Sequence, residues 1–539
     1  GNNTSVGKDS LRANTTGASN VAVGSGALDA NTTASNNTAV GYNSLGANTT
    51  GADNVAVGRQ SLLASTTGDN NTSVGTNALM ANTTADNNTA FGYNSLKANT
   101  TGAANTAVGK SSLAANTTGS TNTALGASAL DTNTTGSSNT AIGRSALDAN
   151  TTASNNTAVG DVALAANTTG SSNVAVGAVA LDANSTGGSN TALGYNALGA
   201  NTTASDNTAV GQASLANNTT GASLVAIGVN ALVNNTTASN NTAVGSNALL
   251  ANTTGTEITA VGVSALSSFV SGTAQLTAVG YQALKLCTAP YNTAVGWQAG
   301  DAITTGQANV MIGDGSLGSN QTGGSNTAVG HFALNNSTGD SNTGIGATAL
   351  RNNTSGTNNV AVGTQALLNN TTGGSNTAVG RVALDANTSG SNNVAVGNQS
   401  LGENTIASQN VAVGDHALNK NTTASNNTAV GYSALFANIN GTQNVAVGAN
   451  ALDANTTGNN NIGIGHNSMG GTTTGSSNTA IGSQSLRANT TGEANTACGE
   501  QALLNSTTAA NNTAVGKAAL EANTTGGANT AVGKSALEV

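Results

Sequence analysis

Residues 37–54 read NTAVGYNSLGANTTGADN, and residues 54–71 read NVAVGRQSLLASTTGDNN: the phrase closes on the asparagine that opens its next copy, a period of 17. Whether that phrase is one turn of a repeating coil decides the fold. With the glycine of AVG as marker, copies run from Gly7, Gly24, Gly41, Gly58 and Gly75 to Gly533, 32 in all across 539 residues. The spacing is 18 between Gly262 and Gly280, and 16 between Gly280 and Gly296 and between Gly330 and Gly346. The chain therefore reads as one continuous array, regular over 1–261, irregular over 262–302 and regular again over 303–539.

Numbering the phrase from Asn37 (slot 1) to Asp53 (slot 17), slots 2 to 4 are β-forming, as in Thr38-Ala39-Val40 and Val55-Ala56-Val57. Slot 5 is glycine in all 32 copies, the mark of a corner with positive φ or a close backbone approach, as at Gly24, Gly41, Gly58 and Gly75. Slots 8 and 9 are Ala or Ser followed by Leu, with Gly300 and Met469 the departures from leucine. Asn-Thr-Thr-Gly at slots 12 to 15 makes a second turn and cuts the Ala-Leu segment far short of a self-supporting helix. Strand, corner, strand, corner predicts an all-β parallel β-solenoid of 32 coils, roughly 150 Å long at the usual strand spacing.

Alternation predicts that slots 2 and 4 share a face and slot 3 the other. With Val40 and Leu45 assigned to the interior, slot 3 faces outward, and its small residues (Ala39, Ser73, Gly344, with Met311 the outlier) suggest a closely packed neighbouring chain. A thin coil burying two large side chains is under-supported against the entropy of ordering its whole backbone. A homo-oligomer follows as the expectation, three chains around an axis being the simplest closed arrangement.

Composition narrows the function. Aromatic residues are 2%, charged residues 6% and the formal net charge −9, which leaves neither a conventional large core nor an electrostatic handle for nucleic acid or anionic membrane. No transmembrane span or secretion signal is legible, and a start at Gly1 reads as a processed protein or a section of a longer one. Two cysteines make no disulfide framework; Cys498 stands where other copies carry valine, and Cys287 lies in the irregular zone beside Phe269, Pro290 and Trp297, a zone read as a bulge or kink, with a ligand-contacting feature as the lesser alternative.

The phrase N-T-A-V-G-x-x-A-L resembles the head repeats of trimeric autotransporter adhesins, and NTAVG with ANTTG is similar to repeats of bacteriophage tail fibres and of surface fibres ending in an intramolecular chaperone. The resemblance spans the chain and implies a left-handed β-roll wound as a homotrimer, on a cell surface, outside the cell or on a virion. The unit here, slots 1 to 17, is longer than that of the adhesin heads, and no stalk, anchor or chaperone segment is legible, so attachment and self-trimerisation are left unassigned.

Catalytic chemistry is not indicated. His331, His416 and His466 fall in variable slots 6 and 7, far apart along the array. Residues 313–318, GDGSLG, match the dinucleotide fingerprint by letter, but Gly313 is a slot 5 corner and no helix is predicted after it. No cofactor or metal is expected, since the turns lack the regular aspartate of calcium-binding solenoids. The recurring chemistry is Asn-Xaa-Thr: Asn31, Asn48, Asn82, Asn99, Asn116, Asn133, Asn150, Asn167 and Asn201 are formal glycosylation acceptors, and Asn36-Asn37-Thr38 adds another wherever slot 17 is asparagine. The competing reading is an internal asparagine ladder. The leading expectation is a non-enzymatic structural fibre or adhesin shaft that self-associates and presents a repeated surface to a receptor or glycans. Its alternatives are a glycan-coated surface fibril and an ice-binding array on the Thr-Thr of slots 13 and 14.

Overall fold

The computed structural model describes residues 1–538. The chain divides into two compact units, Gly1–Ala274 and Gln275–Val539, and each is a parallel β-solenoid. The described residues form thirty-two strands and no helix, from β1 (Thr4–Val6), β2 (Val21–Val23) and β3 (Thr38–Val40) to β32 (Thr530–Val532). Most strands are only slots 2 to 4, and each pairs in register with its equivalent one repeat away: Thr38 opposite Val55, Ala39 opposite Ala56, Val40 opposite Val57. In the first unit this register runs to β16 (Thr256–Val261), and in the second it runs on from β17 (Thr273–Val279).

The slot 5 glycine is required twice over. Gly41 and Gly58 have φ of +137° and +131°, a region that side chains disfavour, and a Cβ on Gly58 would stand 2.5 Å from the carbonyl oxygen of Gly75 in the next coil.

The second strand expected at slots 8 and 9 does not form. Slots 6 to 11 are a run of turns, in which Asn43 and Leu45 take φ of +51° and +50°. That backbone is ordinary for asparagine but costs leucine about 1–2 kcal/mol. Complete burial of Leu45 offsets the cost, being worth about 1.5–3 kcal/mol. The turn also leaves few amides orphaned: Leu45 N–H bonds the Ser61 carbonyl at 2.9 Å, Ala47 N–H the Leu63 carbonyl at 3.1 Å, and Asn48 N–H the Leu45 carbonyl at 3.3 Å.

The expected facing of the strand is reversed. Ala39 is wholly buried, whereas Thr38 and Val40 lie on the partly exposed outer side. The interior is one side chain deep, because the slot 9 leucine reaches across from the turn to the strand. A methyl group added at Gly344 would already stand 3.2 Å from Leu334 Cγ, and one at Gly463 would stand 3.2 Å from Leu452 Cγ. A valine there would overpack. The two outliers confirm the shared space: Gly300 lacks the slot 9 side chain, and Met311 at slot 3 fills the gap, its Sδ 2.5 Å from where a Gly300 Cβ would be. The small residues of slot 3 thus answer to the chain's own leucines, not to a neighbouring molecule.

Around the irregular spacing the interior changes character. Ile258 in the first unit and Leu276 in the second replace the slot 1 asparagine; Phe269 in the first and Cys287 and Ile303 in the second replace that of slot 12; all five are buried. Strands β16 and β17 lengthen to six and seven residues. What reads in sequence as a bulge is a local exchange of amide packing for apolar packing. Cys287 behaves accordingly, its thiol pKa raised by burial and its Sγ–H donating to the Ala289 carbonyl at 3.3 Å.

Candidate functional site

Two columns of asparagine run through the coil interior. At slot 12, Asn48 Nδ2 donates to Asn31 Oδ1 of the preceding coil and to the Gly51 carbonyl of its own, both at 2.9 Å. At slot 1, Asn37 N–H donates to Asn20 Oδ1 at 2.9 Å, and Asn37 Nδ2 donates to that same Gly51 carbonyl at 2.9 Å. One inward carbonyl thus takes two amide donors from opposite walls of the coil. Asn31, Asn48, Asn82, Asn99, Asn116, Asn133, Asn150, Asn167 and Asn201, glycosylation acceptors by sequence, are in the slot 12 column and are wholly buried, whereas slot 17 acceptors such as Asn36 and Asn155 are exposed. Each coil therefore uses polar side chains as core, the amide of one coil satisfying that of the next. The ladder breaks where its sequence breaks: Ser65, Thr472 and Ser506 follow Asn48, Asn455 and Asn489 in the column, and the Oδ1 atoms of those three asparagines are left without a donor.

The turn residues remain outside. Thr49 is half-buried and its hydroxyl donates to the Thr66 carbonyl at 3.0 Å, while Thr50 is exposed, so the Thr-Thr pair splits between a structural bond and solvent. His331 lies 3.6 Å from Asp314, His416 2.9 Å from Asp415, and His466 3.4 Å from the Asn467 amide, three separate places. Among the described residues no group of three or more His, Cys, Asp or Glu is placed to hold a metal, and no helix is long and apolar enough to cross a membrane. Gly313 is a corner with φ +125°, followed by turns.

A pattern at slot 10 escaped the reading of the sequence. Gly46, Gly199, Gly318, Gly402 and Gly470 each stand one coil after an aspartate: Asp29, Asp182, Asp301, Asp385 and Asp453. Stacking explains the pairing, since Asp453 Oδ1 lies 3.2 Å from where a Gly470 Cβ would be, and Asp301 Oδ1 3.5 Å from that of Gly318. At Gly199, Gly318, Gly402 and Gly470 the glycine faces the carboxylate of the preceding coil, most tightly at Gly470, whereas Asp29 is not among the atoms nearest Gly46. Burial raises the pKa values of Asp182, Asp301, Asp385 and Asp453, and also those of Asp131 and Asp148, the last raised further by the Asp131 charge. A carboxyl with a raised folded-state pKa holds its proton longer folded than unfolded, so its contribution is most favourable at low pH and is lost as pH rises through the folded pKa. Thermal unfolding followed from pH 7 down to about pH 4 should therefore show a modest rise in midpoint. A steady fall over that range would contradict the partial burial of these groups.

The outer strand face is the most distinctive surface. In all 32 coils slot 2 is Thr, Val or Ile and slot 4 is Val, Ile, Leu, Phe or Cys, with no charged residue in either column. Parallel pairing places each column in register. Several members are well exposed, among them Phe91 at 41%, Leu125 at 46% and Ile481 at 42%. Cys498 of β30 (Thr496–Cys498) is on this face and exposed. The geometry defines a class: a β-solenoid of tandem coils with an amide-laddered interior and one uncharged face of a branched apolar column beside a column of threonine and valine. No protein-family model and no curated protein matches the chain.

Proposed function

We propose that this chain is a non-enzymatic fibre or adhesin shaft that works as a homo-oligomer, its uncharged strand faces packed together around a common axis. The observation that carries the reading is the uncharged slot 2 and slot 4 face, repeated without exception. Sixteen strands at about 4.8 Å, two side chains wide, present an uncharged strip on the order of 500–800 Å² per unit, close to one side of a standard interface. The resemblance to adhesin heads and tail fibres favours three left-handed chains, and an extracellular, cell-surface or virion setting where reach, stiffness and a repeated surface are useful.

The test is sedimentation equilibrium of the full chain. We expect three times the 51.6 kDa chain mass. Val108→Lys, Leu125→Lys and Ile142→Lys together, which put three cations in one column of adjacent coils, should release monomer with the β-type circular dichroism unchanged. A wild-type monomer at micromolar concentration would defeat the proposal. Mass spectrometry of the same sample under denaturing conditions addresses the glycan-coated alternative. At slot 12 that alternative requires sugars on Nδ2 atoms that here donate inside the coil, so a mass above the bare 51.6 kDa would place sugars on exposed slot 17 asparagines such as Asn36; the fibre reading expects the bare mass.

A further inference from the structure

We infer that the second unit carries a saccharide-binding site on its slot 6 and 7 edge, centred on Trp297 and Asp314. The chain has one tryptophan and few aromatic residues of any kind. Four of the exposed slot 6 aromatics, Tyr42, Tyr93, Tyr195 and Tyr432, stand alone in their column, with small or polar residues in the coils on either side. Tyr281 and Trp297 instead occupy slot 6 of successive coils. Their rings stack at 6.0 Å with planes 12° apart, yet 44% and 52% of these residues remain open to solvent. A stacked pair of half-open rings is a flat apolar platform of the kind that ligand sites use.

The neighbouring coils supply polar partners. Beside the stack, Gln298 Nε2 donates to Gln282 Oε1 at 3.0 Å, an amide pair with further capacity for donors and acceptors. One coil beyond Trp297, Asp314 presents Oδ2 to His331 at 3.6 Å, while its Oδ1 is buried without a hydrogen-bond partner. The exposure of the Asp314 side chain, 45%, is therefore on its Oδ2 side, the oxygen within a ligand's reach. Gly315 has no side chain, and the ring of Phe332 folds back over it, walled by His331 at 4.2 Å and the Arg351 guanidinium at 5.3 Å. The result is an aromatic shelf, a half-exposed carboxylate, an amide pair and a second aromatic wall on one edge.

A neutral pyranose fits this chemistry. Its C–H face packs on the indole by dispersion and burial, its hydroxyls donate to the half-exposed Asp314 carboxylate through Oδ2, and its oxygens accept from the glutamine amides. An anionic ligand would meet the Asp314 charge, and a cationic one would meet Arg351. The site is complete within consecutive coils of one chain, so it stands or falls independently of oligomerisation.

Trp297 is its own reporter. The full chain is titrated with cellohexaose, chitohexaose, mannohexaose and maltohexaose while its emission is followed. At least one sugar should shift that emission saturably. Asp314→Asn and Tyr281→Ala should each weaken the apparent affinity roughly tenfold or more, as expected for loss of a charged hydrogen bond or of an aromatic contact. Tyr432→Ala, an isolated slot 6 tyrosine, should leave it unchanged. No response to any of the four sugars up to about 10 mM, or a response that Asp314→Asn and Tyr281→Ala leave intact, would overturn the assignment.

Discussion

Gly58→Ala is expected to unfold the coils around it, at a local cost above about 3 kcal/mol. Two penalties act at once. The φ of +131° is one that alanine adopts only under strain, and the new methyl would meet the Gly75 carbonyl oxygen at 2.5 Å and its carbon at 2.7 Å. Neither atom can withdraw, because both belong to the backbone of the adjoining coil, itself fixed by the Gly75 N–H bond to the Val57 carbonyl at 2.8 Å. In a stack where each coil meets only its neighbours, such damage stays local. Hydrogen exchange should therefore accelerate over about residues 38 to 95 and leave coils beyond residue 140 at wild-type rates. Alanine at Gly46, whose φ is not in the left-handed region and whose Cβ would find nothing nearer than 3.4 Å, is the matched control and should cost little. Equal protection in all three proteins would show that the corner geometry is wrong.

What the sequence disclosed and what it hid follow from how each constraint is written in residues. The repeat, the strand at slots 2 to 4 and the corner at slot 5 are each set by a local rule, so Thr38-Ala39-Val40-Gly41 is enough to read them. The facing of that strand is not local. Both assignments satisfy alternation, and the choice rests on how much room Leu45 leaves opposite it. The answer was present in one pair of exceptions, Gly300 losing its side chain where Met311 gains one, but seeing it requires knowing that slot 9 and the next slot 3 share a space. Leucine in a left-handed turn was likewise invisible, since propensity argues against it and only the burial it gains overrides that preference. Reversing the face moves the oligomer argument from slot 3, which the coil itself fills, to slots 2 and 4, which it leaves open. The aspartate and glycine of slot 10, and the Tyr281, Trp297 and Asp314 edge, emerge only when residues a full coil apart become neighbours.

Asn99→Asp should be nearly as damaging as the corner substitution, and damaging in a way that pH reverses. Asn99 Nδ2 donates to Asn82 Oδ1 at 2.9 Å and to the Gly102 carbonyl at 2.8 Å, while its Oδ1 accepts from Asn116 Nδ2 at 2.7 Å. An aspartate of the same shape keeps the last bond and turns the first two into contacts between oxygen atoms. At neutral pH it also places a charge, without a cation beside it, in a column that is wholly buried. Loss of two donors and an unpaired buried charge together should cost about 3–5 kcal/mol locally. Protonation restores one donor and removes the charge, so the folded-state pKa of the new carboxyl must lie above the unfolded value of about 3.9. Its stability is then greatest below the unfolded pKa and declines as pH rises through the folded one. Exchange protection of residues 82 to 119, compared at pH values on either side with allowance for the intrinsic rate, should show a large deficit near pH 7 and a much smaller one near pH 4. Asn99→Ala, which removes the bonds without adding a charge, should show a deficit that pH does not change. If the aspartate behaved like the alanine, the amide column would not be the dry, self-satisfied core on which the coil depends.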